Sequence, residues 1–353
     1  MSNKDVKLTI DSVEVTVPQG TMVFQAARSA GIDIPHLCHE PELDLSPTAA
    51  CRLCVVEVEG AAAPAASCAC PAIEGMVVRT DTVALREIRQ MIIELLLSDH
   101  PHDCPECDQS GDCALEEYAY EFGVRKRREA TKAGFIPPAA DAPMLDYDRS
   151  KCIMCGRCVA VCQNVQEAGA VDFQGRGFDA EIGLPPGLSR EESDCELCGN
   201  CVAVCPTGAV AGCRMVGIRG ATKVRTTCGY CGVGCQFDLN VRDGRVVGVT
   251  TTSDNPVNGK WLCVKGRFGY EFIDHPDRLT TPLIRRNGQL EPATWDEALG
   301  YVASRLTEIK AANGPDAIGF MSSSRCTNEE NYLLGKLARA VIGTNNVDQC
   351  ART

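Results

Sequence analysis

Two stretches of this 353-residue chain repeat one pattern: CIMCGRCVAVC occupies residues 152–162 and CELCGNCVAVC occupies residues 195–205. Both have the spacing C-x2-C-x2-C-x3-C, and Pro206 follows the second. This spacing is typical of thiolates that wrap around 4Fe-4S clusters, with the fourth cysteine of each run ligating the other cluster. It predicts an internal duplication with two clusters. The predicted ligands are Cys152, Cys155, Cys158 and Cys205 for one cluster, and Cys195, Cys198, Cys201 and Cys162 for its twin.

The composition agrees with a metal-binding chain. Cysteine is abundant, at 23 residues, and an excess of this kind indicates either disulfides or metal. The tight steps between cysteines favour iron clusters. A net charge of -12 disfavours nucleic acid and acidic membranes as partners. The polar first ten residues predict no leader, and the longest apolar stretch is broken by Glu94, so we expect a cytoplasmic protein without membrane insertion.

Outside the duplicated runs the chain alternates short helices and strands. Residues 7–17 alternate apolar and polar side chains around Asp11 and Ser12, which predicts a β-hairpin. Thr21 is expected to cap a helix that ends near Ala30, and residues 54–58 predict a strand of the same small β-grasp sheet. Further helices are predicted over residues 82–98, with Leu85, Ile88, Ile92 and Leu95 on one face, over residues 295–311 and over residues 328–342.

Three more groups of cysteines have the spacing of metal ligands. Cys38, Cys51 and Cys54, with either Cys68 or Cys70, suit a 2Fe-2S cluster. Cys104, Cys107 and Cys113, with either His100 or His102, suit a cluster whose potential the imidazole would raise by removing one negative charge. Cys228, Cys231, Cys235 and Cys263 are flanked by glycines that allow the backbone to approach a 4Fe-4S cluster closely. Zinc remains an alternative at the last two groups on spacing alone.

Several clusters in one chain indicate an electron relay, because a single structural or catalytic cluster needs no successors. Residues 175–180 fit a loose dinucleotide fingerprint, but no strand-turn-helix unit is predicted around them, so a chance match is favoured. No nucleophile-base-acid arrangement stands out in the sequence.

The order of these sites resembles a known group of proteins. Residues up to about 215 resemble the amino-terminal region shared by the large iron-sulfur subunit of respiratory complex I, iron-only hydrogenases and NAD-linked formate dehydrogenases. In that region a histidine four residues before the first cysteine is the cluster ligand, which implies His100. The 2Fe-2S motif ends in a cysteine three residues before a proline, which implies Cys68. This leaves Cys70, Cys213, Cys326 and Cys350 without a predicted role.

The remaining sequence resembles molybdopterin oxidoreductases. VKGR follows Cys263, as in the 4Fe-4S domain that opens those enzymes, which implies that Lys265 lies between cluster and pterin and assists electron transfer. SSSRCTNEEN at residues 322–331 and GTNNVDQCAR at residues 343–352 closely resemble the formate dehydrogenase catalytic subunit. This implies pterin contacts at Arg325, Asn328 and Glu329. The metal ligand of that family would follow Thr353, and we expect it to be a selenocysteine whose codon was read as a stop.

The implied fold is an α+β multidomain iron-sulfur protein. The expected parts are a β-grasp 2Fe-2S ferredoxin-like domain (1–78), a 4Fe-4S domain with one histidine and three cysteine ligands (79–120), a connector (121–144), a two-cluster bacterial ferredoxin-like domain (145–215), the 4Fe-4S domain of molybdopterin oxidoreductases (221–277) and the truncated start of an α/β molybdopterin domain (278–353).

The resemblance implies the electron-relay portion of a cytoplasmic, NAD-linked formate dehydrogenase. Its cofactors would be one 2Fe-2S cluster, four 4Fe-4S clusters and, in the full-length protein, a molybdenum or tungsten bis(pterin guanine dinucleotide). Formate would be the substrate, and the partner would be a flavoprotein of the NADH dehydrogenase type with its own iron-sulfur clusters. The 353 residues alone are expected to be inactive. The alternatives are a non-catalytic iron-sulfur subunit of a hydrogenase and a subunit of a complex I-like NADH dehydrogenase.

Overall fold

The computed structural model describes residues 5–39, 49–101, 103–107, 109–124, 144–190, 192–212, 218 and 220–349. These residues form an α+β protein made of several small sheets, in agreement with the fold class predicted from the sequence. In this part of the chain, none of the helices combines the length and the apolar character that a membrane crossing requires.

The amino-terminal unit is a five-stranded sheet with one short helix. Its elements are β1 (Asp5–Ile10), β2 (Val13–Pro18), α1 (Val23–Ser29), β3 (Val55–Val58), β4 (Ala65–Ala66) and β5 (Val77–Arg79). The strand order is β2-β1-β5-β3-β4, with β1 parallel to β5. The predicted hairpin is confirmed: Asp11 and Ser12 turn the chain with φ of 46° and 71°. Alternate residues of β1 are buried, so one face of this sheet packs against the core of the amino-terminal unit.

Helix α1 begins one residue later than expected. Met22 occupies the N-cap position, and its backbone N–H donates to Gln25 Oε1 at 3.0 Å. Thr21 lies outside the helix, and its backbone carbonyl accepts from the N–H of Ala72 at 2.8 Å. The backbone pairing next to the sheet therefore decides where the helix starts.

Helix α2 (Val83–Ser98) is confirmed, with Thr82 Oγ1 accepting from Leu85 N at 3.2 Å, but its predicted face is only partly buried. The buried residues are Leu85, Arg89, Ile93 and Leu97, whereas Leu95 is 53% exposed. The cause is Arg89, whose side chain is only 2% exposed. Its guanidinium donates to the carbonyls of Leu53 at 3.2 Å, Val55 at 2.8 Å and Thr80 at 2.8 Å. Because this buried cation faces the sheet, the buried side of the helix is rotated away from the purely apolar side predicted from the sequence.

Arg89→Met should lower the free energy of unfolding of the amino-terminal unit by about 3–5 kcal/mol, because three buried carbonyls lose a charged donor. Urea-dependent amide hydrogen exchange of β1 and β5 in the full chain measures this. Arg86→Met is the control, since Arg86 lies on the same helix in an exposed ion pair with Asp81 at 2.6 Å, and it should leave the exchange unchanged. Equal protection in both variants would contradict a structural role for Arg89.

The middle of the chain contains the duplicated cysteine runs. Its elements are α3 (Ala114–Glu121), β6 (Leu145–Tyr147), α4 (Arg157–Asn164), β7 (Asp172–Gln174), β8 (Glu181–Gly183), α5 (Asn200–Val204) and β9 (Val210–Gly212). Strands β6 and β9 pair antiparallel and bring the two ends of the unit together. Residues 175–180 lie in the turn between the antiparallel strands β7 and β8, a hairpin and not a strand-turn-helix unit. The chance-match interpretation of that fingerprint agrees with this placement.

The remaining elements form two further sheets and a hairpin. They are β10 (Thr222–Thr227), β11 (Gln236–Arg242), β12 (Arg245–Thr250), α6 (Val264–Phe268), β13 (Leu283–Arg286), β14 (Gln289–Pro292), α7 (Trp295–Asn313), β15 (Phe320–Ser322), α8 (Asn328–Lys336) and β16 (Val347–Gln349). Strands β10 to β12 form an antiparallel sheet, and β15 and β16 pair in parallel. The helices predicted over residues 295–311 and 328–342 are confirmed as α7 and α8. The second changes to π-helical winding over Leu337–Ile342.

Candidate metal centres

Four amino-terminal cysteines predicted to hold a 2Fe-2S cluster are buried together. Cys38, Cys51, Cys54 and Cys68 are each at most 7% exposed. Their thiols form two hydrogen-bonded pairs, Cys38 with Cys51 and Cys54 with Cys68, and the second pair lowers the pKa of Cys54 to about 6. Since each iron of a 2Fe-2S cluster carries two protein ligands, two pairs of thiols suit this group. Cys70 is only partly buried, and its Sγ lies 4.0 Å from the carbonyl oxygen of Pro71.

The two duplicated runs have the same backbone conformation. Met154 and Gly156 in the first run have φ of 54° and 74°, and Leu197 and Gly199 at the equivalent positions have φ of 54° and 71°. These left-handed residues wrap each loop back on itself, so that backbone N–H groups point at sulfur. The N–H of Met154 donates to Cys152 Sγ at 3.4 Å. The internal duplication predicted from the sequence is thus present in the structure.

The structure brings together the four cysteines predicted for the first cluster of the duplicated unit. Cys152, Cys155, Cys158 and Cys205 line one cavity, although Cys205 belongs to the second run. The N–H of Val210 donates to Cys205 Sγ at 3.5 Å. Burial raises the pKa of the Cys155 and Cys158 thiols, so a bare thiolate would be costly there and bound iron would compensate for it.

The twin site mirrors this arrangement. Burial raises the pKa of Cys198, and the nearby charges of Cys195 and Cys162 raise it further, so the last cysteine of the first run lies near the second site. Burial raises the pKa of Cys201 to about 12. The backbone N–H of Asn200 donates to Cys198. The crossed ligand sets therefore agree with the positions of the side chains.

The histidine-containing group lies directly after α2. His100, Cys104 and Cys113 line one cavity. Burial raises the pKa of Cys104, the nearby charges of Glu116 and Cys107 raise it further, and Cys107 also lies near Cys113. Burial raises the pKa of Cys113 to about 11, while the N–H groups of residues 115 and 116 at the start of α3 donate to its sulfur. His102, the competing ligand, lies outside the described residues.

The fifth group surrounds the loop between β10 and β11. The backbone N–H of Cys228 donates to the Cys235 carbonyl at 2.7 Å. Burial raises the pKa of Cys235, and the nearby charges of Cys228, Cys231 and Cys263 raise it further. A Cβ atom added to Gly266 would lie 3.8 Å from Cys228 Sγ, so the glycine leaves room beside that sulfur. Cys231 and Cys263 are exposed.

The residues expected to approach a pterin lie near this fifth group or on α8. Lys265 is exposed on α6, two residues after Cys263. The Arg325 guanidinium stands 5.8 Å from the centroid of the Tyr230 ring, between Cys228 and Cys231 in sequence. Asn328 and Glu329 are exposed at the start of α8.

Sequence reasoning missed two arginines that lie among the cysteine groups, Arg157 and Arg267. Arg267 is 2% exposed and Arg157 is partly buried. The available signals were a cation directly before the third cysteine of the first run and another cation four residues after Cys263.

The donor set fits iron-sulfur clusters. The described cysteines form no disulfide, they gather in the predicted groups, and backbone N–H groups point at several of the sulfurs. Within the described ranges, no three His, Cys, Asp or Glu side chains converge as ligands of one metal ion. The thiolates of a 4Fe-4S cluster each bind a different iron and are therefore spread around the cluster. A bound cluster would supply one-electron storage, and these residues would hold it and tune its potential.

Family comparisons cover nearly the whole chain in five consecutive segments. The matching families are the 2Fe-2S iron-sulfur cluster binding domain (3–83), the NADH-ubiquinone oxidoreductase-G iron-sulfur binding region (89–128), the ferredoxin-like domain of NADH-quinone oxidoreductase subunit 3 (142–211), the molybdopterin oxidoreductase Fe4S4 domain (221–275) and molybdopterin oxidoreductase (278–353). Cluster-binding domains of both the 2Fe-2S and the 4Fe-4S type are thus present, together with part of a molybdopterin oxidoreductase domain.

Curated relatives are similar to nearly the whole chain but are longer. The NADPH-Fe(3+) oxidoreductase subunit alpha of Geobacter sulfurreducens is 40% identical over 98% of this chain, and a G-type subunit of the NADH-quinone oxidoreductase of Rhizobium meliloti is 37% identical over 98%. The Bacillus subtilis protein YrhE, provisionally named a formate dehydrogenase, is 34% identical over 100% of the chain. The chain spans 40% of the length of each of these relatives.

A solved structure supports the same assignment. A chain of an NAD+-reducing nickel-iron hydrogenase in its H2-reduced state matches with a TM-score of 0.52 and 30% identity. The match covers 60% of this chain and 89% of the hydrogenase chain. The protein therefore belongs to the oxidoreductase family of iron-sulfur subunits that includes the G-type subunits of NADH-quinone oxidoreductase and the molybdopterin oxidoreductases.

Proposed function

We propose that the chain is the electron-relay portion of a molybdenum or tungsten formate dehydrogenase. Electrons from formate oxidation at a bis-pterin centre would enter at the Cys228–Cys263 cluster and pass through the duplicated unit to the amino-terminal clusters. A flavoprotein partner with its own iron-sulfur clusters would then reduce NAD in the cytoplasm. One 2Fe-2S and four 4Fe-4S clusters would form this path, held by the five groups of ligands described above.

The observation that carries the relay is the packing of one cysteine group against the next. Cys38, Cys51 and Cys155 share a buried hydrophobic cluster, so the amino-terminal group adjoins the duplicated unit. The N–H of Ala114, next to Cys113, donates to the carbonyl of Pro206, next to Cys205, at 3.0 Å. At the other end, Arg267 Nε donates to the carbonyl of Cys198 at 3.1 Å. Each group thus has a neighbouring group to which an electron can pass.

Formate as the substrate is supported by the carboxyl-terminal segments. Residues 322–331 and 343–352 carry the resemblance to formate dehydrogenase catalytic subunits, and YrhE is similar along the whole chain. The loop that carries Arg325 lies beside the fifth group, since a Cβ atom on Gly232 would be 3.9 Å from the Ser324 carbonyl oxygen. A pterin that contacts Arg325 would therefore be near the first cluster of the relay.

The 353-residue chain, reconstituted with iron and sulfide, should be reduced by dithionite but should give no formate-dependent dye reduction, because the chain spans 40% of the length of its curated relatives. A long product, in which these residues are part of a protein of the length of the curated relatives, should reduce dye with formate and release an oxidised, fluorescent pterin on acid extraction. Formate-dependent turnover by the 353 residues alone would contradict the proposal that they relay electrons without oxidising formate themselves. A pterin-containing long product that ignores formate would contradict the substrate.

A second candidate is a relay that receives electrons from a reduced nicotinamide and has no pterin. It is favoured by the relatives named for NADPH-Fe(3+) and NADH-quinone oxidoreduction, which are 40% and 37% identical. The hydrogenase chain, which matches over 89% of its length, points the same way. Absence of extractable pterin from the long product, together with cluster reduction by NADH and a flavoprotein, would favour this candidate.

A further inference from the structure

The two duplicated runs differ at one position between their second and third cysteines. The sequence is Cys-Gly-Arg-Cys in the first run and Cys-Gly-Asn-Cys in the second, so Arg157 and Asn200 are equivalent. Both start a helix, α4 or α5, directly after a left-handed glycine. One site of the duplicated unit therefore has a cation built into its run, and the other has an amide.

Arg157 lies between the amino-terminal group and the first site of the duplicated unit. Its Nη1 donates to the carbonyl of Leu37 at 3.4 Å, next to Cys38. In the chain, Arg157 directly precedes Cys158, a predicted ligand of the first site. These two cysteines belong to different predicted clusters. The guanidinium is thus placed where it can interact with both.

At Asn200 the missing guanidinium is supplied by another part of the chain. Arg267 Nη2 donates to Asn200 Oδ1 at 3.2 Å, and Arg267 Nε donates to the Cys198 carbonyl at 3.1 Å. The Leu262 N–H donates to the same Asn200 oxygen at 3.1 Å, which fixes the amide. A Cβ atom on Gly199 would lie 2.4 Å from Arg267 Cδ, so the arginine packs directly on the second loop.

Arg267 also faces two predicted clusters. Its backbone N–H donates to the Cys263 carbonyl at 3.1 Å, and its Nε donates to the Cys198 carbonyl at 3.1 Å. Cys198 and Cys201 belong to the second site of the duplicated unit, and Cys263 belongs to the fifth group. An arginine therefore lies on each side of the duplicated unit, where it meets a neighbouring group.

We propose that Arg157 and Arg267 are equivalent positioning residues for electron transfer. Each places a positive charge between two clusters, Arg157 from its own run and Arg267 from the neighbouring domain through Asn200. The inference rests on the proposed relay in that it needs clusters at these cysteines, but it does not depend on formate as the substrate.

The physical reason is the charge that a cluster gains on reduction. A 4Fe-4S cluster with four thiolates becomes more negative by one unit when it accepts an electron, and net charge and burial set its potential. A cation buried beside it stabilises the reduced form in a medium of low dielectric constant. A guanidinium is protonated throughout the physiological pH range, so the charge is permanent. A cation between two clusters raises the reduction potentials of both, so the difference between the two potentials stays small.

The test is a potentiometric titration of the reconstituted 353-residue chain, followed by electron paramagnetic resonance. Arg267→Met should reduce the equilibrium constant for reduction of at least one flanking cluster about tenfold, a fall of about 59 mV for one electron. Arg157→Met should likewise lower the potential of at least one cluster at the junction between the amino-terminal group and the duplicated unit. Arg245→Met, which changes an exposed arginine at the start of β12, should leave all midpoint potentials unchanged.

Two further variants separate charge from packing. Arg267→Lys retains the charge but loses the forked contacts, so it should lower the melting temperature while largely retaining the potentials. Asn200→Arg in the Arg267→Met background should restore the potential by copying the first run. Fully loaded Arg267→Met and Arg157→Met proteins with unchanged potentials would overturn the proposal. If Arg267→Met fails to assemble, Arg157→Met and Arg267→Lys decide the question. A parent chain without cluster signals would instead refute the relay itself.

Discussion

Replacing Cys205 with alanine should remove the cluster held by Cys152, Cys155 and Cys158, and should leave the cluster of the run to which Cys205 belongs in sequence. Cys205 lines the same cavity as these three cysteines of the other run. A cubane that loses one of four thiolates is expected to be lost or to become labile, which removes about four iron atoms per chain. Iron analysis and electron paramagnetic resonance of the reconstituted variant measure the loss.

Cys162→Ala provides the mirror experiment. It should remove the cluster of Cys195, Cys198 and Cys201, because Cys162 lies near Cys198. Cys70→Ala is the control, since this thiol contacts the Pro71 carbonyl and is not a predicted ligand, so its loss should affect no cluster. If Cys205→Ala instead abolished the signal of the second run, the crossed arrangement would be wrong.

Replacing His100 with alanine should remove the cluster next to α2, with a loss of about four iron atoms per chain. The imidazole is 8% exposed and lines one cavity with Cys104 and Cys113. His100→Cys should retain the cluster and lower its potential, because a thiolate adds the negative charge that an imidazole lacks. Iron content and a redox titration distinguish the two variants.

His102→Ala is the matched control for this site, two residues away on the same segment. It should retain the full iron content. Retention of the cluster in His100→Ala together with its loss in His102→Ala would reverse the assignment that we inferred from resemblance.

Cysteine spacing was the most informative signal in the sequence, and the reason is geometric. Steps of two or three residues between thiols place sulfurs around one loop regardless of distant packing, so the groups around Cys152 and Cys195 could be predicted. The hairpin at Asp11 and Ser12 was equally local. Domain boundaries and ligand assignments remain predictions, although the side chains gather in the expected groups.

Features that depend on contacts between domains were not predictable in the same way. The buried face of α2 follows from three carbonyls that Arg89 meets only after the sheet has formed. Arg267 is one of many basic residues in the sequence, and its contacts with Asn200 and Cys198 exist only in the folded protein. Apolar periodicity cannot identify such cations, since it counts them as surface residues.

Metal analysis of the chain reconstituted anaerobically with iron, sulfide and zinc together tests the central claim most directly. The account predicts about 18 iron atoms per chain, with matching sulfide and no stoichiometric zinc, as expected for one 2Fe-2S and four 4Fe-4S clusters. Zinc at the His100 group or at the Cys228–Cys263 group, with iron correspondingly lower, would contradict it, because zinc cannot carry electrons and the relay would be broken at that point.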